Sequence, residues 1–292
     1  MTDQIVKNGA TLSQDLFWLA FWLYECQVAW MHDDTDFGTV VSERSWVPAP
    51  RYLMRRDRIL RWLHGHEPGE LLEIGPGSGA LLRDLSRRNW KCTGLDLAAD
   101  ALDLAMYVTR DDPEVVLSSN PEDILGKQYD YVIACEVLEH IENDHEVFHD
   151  WACHLKPGGG LILSVPAHMS KWDATDEWAG HYRRYEREEL LTLARENNLK
   201  VEKLECYGFP LARLTTGFRA RHLASGKAES EDADEMAART AQSGINRDFE
   251  LRHYRRQSSW FGRVALKAGI QMQRLFLNTE WGNGYLLLAR KR

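Results

Sequence analysis

Short apolar runs alternate with helical periodicity through the middle of the chain. The apolar runs lie near 70–74, 91–95, 114–117, 129–134, 160–166 and 200–206, with a last one at 281–289. Helical patterns lie near 79–88, 98–108, 143–155 and 186–196. Short strands that alternate with helices form parallel sheets with crossover helices. The pattern therefore predicts an α/β fold built on a mostly parallel sheet.

The regions that flank this pattern differ from it. Residues 12–31 hold so many large apolar side chains that most of a helix circumference must be covered, either by the core, by a second copy in a homodimer or by an apolar substrate. Pro48 and Pro50 open a second predicted helix that ends near Leu63. Further helices are predicted over 210–223 and 247–276.

A glycine-rich turn follows the first apolar run. Gly75, Gly77 and Gly79 stand before a helical pattern, and Asp96 ends the second run. A strand, a glycine turn and a helix, followed about 20 residues later by an acid, are typical of nucleoside-binding sites. The spacing of Gly75, Gly77 and Ala80 also fits the G-x-G-x-x-A pattern of dinucleotide sites. The turn thus predicts an adenosine-containing cofactor and leaves its class open.

Glu73 decides between the two cofactor classes. It lies inside the first predicted strand, directly before the turn. A carboxylate there would repel a pyrophosphate, whereas it suits a ligand that carries an ammonium and a sulfonium. The residues therefore favour S-adenosylmethionine. An NAD(P)-dependent oxidoreductase is the alternative, although the chain has no Tyr-x-x-x-Lys or comparable hydride-transfer site.

Five segments resemble, in the same order, class I S-adenosylmethionine-dependent methyltransferases. They are Glu-Ile-Gly-Pro-Gly-Ser-Gly at 73–79, Leu-Asp at 95–96, Pro-Glu-Asp-Ile at 121–124, and the runs 129–141 and 155–163. The resemblance implies a Rossmann-like, seven-stranded, mostly parallel sheet with helices on both faces. It also implies methyl transfer to a small molecule, as in the similar ubiquinone-biosynthesis O-methyltransferase group. We expect a small or lipid-like acceptor, with oxygen as the preferred nucleophile and nitrogen second.

The resemblance also divides the chain, because the last two strands of the family are neighbours and here a long segment separates them. We expect an N-terminal helical cap over 1–68 and a methyltransferase core over 69–206. A helical lid insertion over 207–280, with a mobile acidic loop at 226–244, precedes the last core strand at 281–292.

The family pattern implies roles for individual residues at the cofactor. Glu73 would hold the methionyl ammonium, and the glycines would let the backbone approach the ligand. Asp96 would accept the ribose hydroxyls in charge-assisted hydrogen bonds. Asp123 would accept the adenine amino group, with Glu122 as the alternative. The predicted cofactor-binding set is Glu73, Gly75, Gly77, Gly79, Asp96, Leu97, Asp123, Ile124 and Glu136.

Two histidines are candidates for a catalytic base, since they follow strands at the sheet edge where open α/β folds bind ligands. They are His140 and His181. The donor-rich residues Tyr182, Arg183 and Tyr185 are predicted to bind the substrate. The segment 136–140 also resembles one in which two carboxylates and a histidine are associated with a divalent cation. Metal-free relatives share its Leu-Glu-His phrase, and we expect no metal.

The net charge and the cysteine content limit the kinds of partner and compartment that we expect. A net charge of -8 argues against a nucleic-acid partner, since phosphate contacts need a basic surface. The five cysteines form no C-x-x-C pair, and no leader or membrane-spanning run is evident, so we expect a cytoplasmic protein with reduced thiols. Basic residues near Trp260 and Phe261 suggest a peripheral membrane contact. A catalytically silent scaffold is the non-enzymatic alternative.

Overall fold

The computed structural model describes residues 31–211, 244–245 and 247–292. A hairpin of two short strands, β1 (His32–Asp34) and β2 (Gly38–Val40), precedes helix α1 (Pro50–Leu63). The elements that follow are β3 (Glu70–Ile74), α2 (Ala80–Ser86), β4 (Lys91–Leu95), α3 (Ala99–Thr109), β5 (Val115–Ser118), β6 (Tyr129–Cys135), α4 (Asp144–Cys153), β7 (Leu155–Pro166), α5 (Ala174–Ala179), α6 (Arg187–Glu196), β8 (Leu199–Tyr207), α7 (Asp248–Gln257), α8 (Trp260–Gln273) and β9 (Gly284–Lys291).

Strands β3 to β9 form one seven-stranded sheet within the described residues, in the order β5-β4-β3-β6-β7-β9-β8. Strand β9 runs antiparallel to both of its neighbours, and the other pairings are parallel. The predicted mostly parallel sheet of seven strands with flanking helices is therefore confirmed, including the late strand that completes it.

The two faces of the sheet are both covered, which explains why its central strands read as continuous apolar runs. Neighbouring residues of a strand point to opposite faces. Leu72 and Val132 pack into one buried cluster, and Leu71 and Ile133 pack into the other. The hydrophobic core thus lies in two layers on either side of the sheet.

Some predicted boundaries were wrong. Strand β7 begins at Leu155, earlier than predicted, because Leu155 pairs with Tyr129 and a register shift follows before Tyr131. The helix predicted over 247–276 is two helices, since the Ser259 side chain accepts the Gly262 amide and starts α8. The hairpin was missed because strands of three residues show too little alternation.

The flanking elements close over one edge of the sheet. Helix α1 is tied to the core by two bidentate ion pairs, Arg56 with Asp84 and Arg58 with Glu205. Leu266 of α8 packs in a buried cluster with residues of the hairpin and α1. Helix α1 therefore lies against one face of the sheet, and its first turns reach the carboxyl ends of the strands, where the predicted site residues lie.

Several predicted segments fall outside the described residues. They are the helix at 12–31 except Met31, the helix at 210–223 beyond Leu211, and nearly all of the loop at 226–244. Across the described ranges, each helix is too short or too polar to cross a bilayer.

Candidate active site

The glycine turn after β3 has the backbone that its sequence predicts. Gly75 has a φ of +64°, which favours glycine. A Cβ atom on Gly75 would lie 2.6 Å from Cγ2 of Val137, so the position also lacks room for a side chain. The Gly77 amide donates to Oδ2 of Asp96 at 3.0 Å. The turn is thereby locked to the end of β4.

Asp96 lies at the carboxyl end of β4, where a ribose-binding acid is expected. The amides of Gly77 and Ala98 both donate to its carboxylate at 3.0 Å. Burial raises the pKa of Asp96, and these two amides oppose the rise. The backbone therefore fixes the orientation of the carboxylate while part of it stays accessible to a ligand.

The other residues predicted at the adenosine end are placed differently. Leu97 is 73% exposed on the open edge beside Asp96. Asp123 is exposed and accepts the Ser118 hydroxyl at 2.5 Å. The Ile124 side chain is buried in the core at 5% exposure, so its predicted cofactor contact would have to come from its backbone.

Glu73 is buried within β3 and faces the neighbouring cavity. Its Oε2 atom has no hydrogen-bond partner among the described residues. Burial raises the pKa of Glu73 to about 8. A buried carboxyl oxygen without a donor is costly, and a bound cation would supply that donor. Glu73 thus fits the ammonium end of the expected cofactor.

A cavity of about 1120 Å³ opens beside the glycine turn. Typical ligand sites measure roughly 300 to 1,000 Å³, so this cavity has room for the end of a cofactor together with an acceptor. Glu73, Gly75 and Gly77 line one wall. The other walls come from α1, from α5 with His181 just after it, and from α7 and α8.

Glu136 follows β6 and lines this cavity, but its carboxylate is already held. It lies 2.7 Å from Nη2 of Arg51 and 3.1 Å from Nη1 of Arg55, and accepts the hydroxyls of Ser164 and Tyr207. Burial would raise its pKa, but the two arginines outweigh burial and lower it to about 2. The carboxylate of Glu136 thus anchors α1, and its predicted contact with the cofactor stays a prediction.

His181 is oriented by a buried carboxylate that the sequence analysis did not identify. Its Nδ1 atom lies 2.8 Å from Oδ1 of Asp176, which also receives a bidentate interaction from Arg184. Burial disfavours the ionised form of Asp176, but the hydrogen bonds from His181 and Arg184 outweigh it and lower its pKa to about 2. An ionised Asp176 accepts only, so Nδ1 of His181 carries the proton and Nε2 presents a lone pair.

His140 lies against His181, with ring centroids 4.7 Å apart in an edge-to-face arrangement. Both histidines line the cavity, so the structure brings the two predicted bases together. Burial, reinforced by the neighbouring His181, lowers the pKa of His140 to about 4. His140 is consequently neutral at physiological pH.

Glu139 is fully buried next to these rings. Neither of its carboxyl oxygens has a hydrogen-bond partner in the described part of the chain, and Nδ1 of His140 is also without one. Burial, reinforced by Glu136, raises the pKa of Glu139 well above its usual range. Glu139, His140 and His181 each offer a ligand atom within 4.8 Å of the others. Oxygen and imidazole nitrogen suit a divalent cation, so these three residues fit such an ion.

The predicted substrate-binding residues are not among the described residues that line the cavity. Tyr185 is 2% exposed, and its hydroxyl donates to Asp144 at 2.8 Å. Arg183 pairs with the same carboxylate, while Tyr182 points to solvent at 45% exposure. The side chains of Arg183 and Tyr185 thus hold the segment that carries His181, and the predicted substrate contacts stay a prediction.

The part of the chain that carries this site matches a known protein family. Residues 49–204, more than half of the chain, match the family described as "Methyltransferase domain". The chain belongs to this methyltransferase family. It is a transferase whose cofactor is S-adenosylmethionine, as the glycine turn, Glu73 and the family match agree. The match begins one residue before α1 and ends within β8, so it contains the turn and both histidines.

Curated relatives of this methyltransferase include two ubiquinone biosynthesis O-methyltransferases. The protein from Rickettsia bellii (strain OSU 85-389) is 35% identical over 140 residues, which is 47% of this chain and 57% of the relative. The protein from Erwinia tasmaniensis is 31% identical over 122 residues, which is 38% of this chain and 50% of the relative. This chain thus spans about half the length of these relatives.

Solved structures show the fold. A provisionally named sarcosine dimethylglycine methyltransferase from Galdieria sulphuraria aligns with a TM-score of 0.51 and 15% identity, covering 81% of this methyltransferase and 83% of that chain. A provisionally named methyltransferase from Bacillus halodurans aligns with a TM-score of 0.51 and 14% identity, covering 81% and 98%. At these identities the likeness establishes the architecture alone.

Proposed function

We propose that this methyltransferase transfers the methyl group to a hydroxyl oxygen of a small or lipid-like acceptor, with a nitrogen nucleophile as second choice. The observation that carries the proposal is the Asp176–His181 pair, because Asp176 holds Nδ1 of His181 and His181 lines a cavity that also reaches the glycine turn. A hydroxyl must lose its proton during methylation, so a base held in one tautomer suits this reaction.

The chain's residues divide the work of the proposed reaction. S-Adenosylmethionine, when bound, supplies a methyl carbon attached to a sulfonium sulfur. Glu73 and Asp96 hold and orient it, and the cavity walls place the acceptor oxygen in line with that carbon. The bound cofactor would supply the methyl group and leave as a neutral thioether, and Nε2 of His181 would take the proton of the acceptor hydroxyl. Asp176 then stabilises the charged imidazole.

The experiment that tests this function is a product screen. The protein would be incubated with S-adenosylmethionine and a panel of phenols and alcohols, each beside an amine of matched shape. Mass spectrometry would detect a single added methyl group, and calorimetry with S-adenosylhomocysteine would measure cofactor affinity separately. We expect methyl ethers as the main products. Methylated amines alone, with the cofactor bound normally, would reverse the order of the two nucleophiles.

A divalent cation is a second candidate for activating the hydroxyl. The observation in its favour is the partnerless carboxyl of Glu139 beside His140 and His181, as described above. These residues would hold the ion, and it would supply Lewis-acid polarisation of the acceptor oxygen. Our proposal remains the metal-free base. Loss of turnover after chelation, with recovery on adding Mg²⁺, would favour the cation instead.

We also propose a peripheral membrane contact through the start of α8. Trp260 and Phe261 are 69% and 78% exposed, and their ring centroids lie 4.8 Å apart. Aromatic side chains next to basic ones suit the surface of an anionic bilayer. Replacing both with alanine should reduce co-sedimentation with phosphatidylglycerol vesicles, whereas Met106→Ala, at an exposed position of α3, should not.

Two further expectations concern partners. The net charge of -8 supports the absence of a nucleic-acid partner. The predicted homodimer depends on the apolar segment at 12–31, which lies almost wholly outside the described residues. Light scattering of the full chain, compared with a chain that lacks residues 1–30, would test the dimer directly.

A further inference from the structure

The charge of the cavity differs from the charge of the chain. The chain carries a net charge of -8, yet the described lining of the cavity contains more arginines than carboxylates. The arginines are Arg51, Arg55, Arg247, Arg252 and Arg256, and the carboxylates are Glu73, Glu136 and Glu250. An excess of positive charge in a pocket of an acidic protein attracts anions.

The arginines of α1 do not account for this excess. Arg51 and Arg55 are both within ion-pair distance of Glu136, so the carboxylate of the protein itself partly neutralises their positive charge. Glu73, on the cofactor wall, faces the cationic end of S-adenosylmethionine in our proposal. The charge that remains therefore lies on α7 and the residue before it, where Arg247, Arg252 and Arg256 outnumber Glu250.

Two arginines of α7 supply this charge. Arg252 and Arg256 are four residues apart in one helix, so their side chains lie on the same face. Both line the cavity, and both are exposed. Within the described ranges, neither guanidinium forms an ion pair with a carboxylate of the protein. Two unpaired guanidinium groups, one helical turn apart, suit an anion with several oxygens.

The lining of the cavity also contains large apolar side chains. They are Trp46, Tyr52, Trp178, Leu211 and Leu266. An acceptor that reached from His181 to α7 would therefore contact apolar walls along its body and positive charge at its far end. A lining that combines apolar side chains with arginines suits an amphiphilic molecule.

We propose that the methyl acceptor carries an anionic group, a carboxylate or a phosphate, that binds Arg252 and Arg256. This inference rests on the proposed function, since it assigns the substrate class of the same site. The apolar part of the acceptor lies against the aromatic and aliphatic walls, and its nucleophile lies at His181. The insertion between β8 and β9 is thus the element that selects the acceptor.

Calorimetric titration of the full-length protein, saturated with S-adenosylhomocysteine, tests this assignment. The probes are phenyl phosphate, benzoate and the uncharged benzamide. We expect one or both anions to bind at least about threefold more tightly than benzamide, and to weaken with added salt. The tighter of the two anions identifies the class. Equal binding of all three probes, or no binding of either anion, would overturn the proposal.

Matched variants separate a contact from a general effect of charge. Arg252→Gln and Arg256→Gln should each weaken binding of the anions by about three- to tenfold and leave benzamide unchanged. Arg255→Gln removes the same charge from the same helix at a position outside the described cavity lining, and should change binding less than twofold. An equal loss in Arg255→Gln would contradict a specific site.

Comparing these titrations with the methylation assay separates failure of the anion site from failure of the proposed function. If the protein bound the anions but no methylated product formed, the proposed function would fail while the anion site stood. If methylation proceeded on uncharged acceptors with full efficiency, and Arg252→Gln left it unaffected, only the anion site would fail.

Discussion

The two ends of the cavity are built in different ways. At the cofactor end, Gly75 and Gly77 follow β3 and Asp96 follows β4; the Gly75 amide donates to the Leu95 carbonyl and the Gly77 amide to the Asp96 carboxylate. At the acceptor end, His181 follows β7, Arg51 comes from α1 and Arg252 from α7. Local backbone geometry therefore determines the first site, whereas the packing of distant elements determines the second. Changes at the cofactor end should affect affinity, and changes at the acceptor end should affect turnover or acceptor choice.

The largest effect is expected at the base. His181→Ala should lower kcat by about 100-fold or more, because general-base catalysis contributes factors of roughly 10² to 10⁴. Affinity for S-adenosylhomocysteine, measured by calorimetry, should change less than about threefold, since that ligand's proposed contacts lie on the other wall. Asp176→Asn should lower kcat too, because it removes the carboxylate that fixes the imidazole tautomer.

A matched control for this prediction is His145→Ala. His145 lies on α4 with 66% of its side chain exposed, and it is not part of the described cavity lining. Its turnover should equal that of the parent protein. If His181→Ala retained full turnover on an acceptor that must lose a proton, the base would lie elsewhere.

At the cofactor end, Asp96→Ala should weaken binding of S-adenosylhomocysteine by about 10- to 100-fold, the size of a lost charge-assisted hydrogen bond. The loss should appear in calorimetry without any acceptor present. Asp100→Ala, which removes an exposed carboxylate from the first turn of α3, serves as the control. An unchanged affinity in Asp96→Ala would show that the ribose is held by other groups.

The contrast between the two ends explains how far the sequence could predict them. Glu73, the glycines and Asp96 form contiguous motifs whose geometry follows from the strand and turn that carry them. Asp176 was missed because nothing in its sequence neighbourhood distinguishes it from a surface acid. Tyr185 was predicted to bind the substrate because it lies in a donor-rich motif. The packing that buries its side chain cannot be read from that motif.

Glu136 shows the same difficulty in one residue. Its place after β6 predicts a cofactor contact, but in the structure its carboxylate forms ion pairs with Arg51 and Arg55 of α1. These arginines were visible in the sequence as part of a basic helix. Where that helix would lie, and therefore which acid it would neutralise, depends on ion pairs such as Arg58 with Glu205, which join residues far apart in the chain.

Cofactor affinity should also depend on pH through Glu73. The pKa of Glu73 in the free site is about 8, so the carboxyl is mostly protonated at pH 7. A cationic ammonium binds the ionised form, and affinity for S-adenosylhomocysteine should therefore rise about five- to tenfold between pH 7 and pH 9. Glu73→Gln should abolish this rise. Glu70→Gln, at the exposed start of the same strand, should keep it.

The smallest effect separates the two histidines. The pKa of His140 is lowered to about 4, so His140 is already neutral at pH 7 and should not produce the acidic limb of the rate profile. His140→Asn should lower kcat by only about three- to tenfold, the size of a lost neutral hydrogen bond. His181→Asn should lower kcat by about 100-fold or more, as expected for loss of the base. If the larger loss appeared instead in His140→Asn, His140 would be the proton acceptor, and the Asp176–His181 pair would serve to position it.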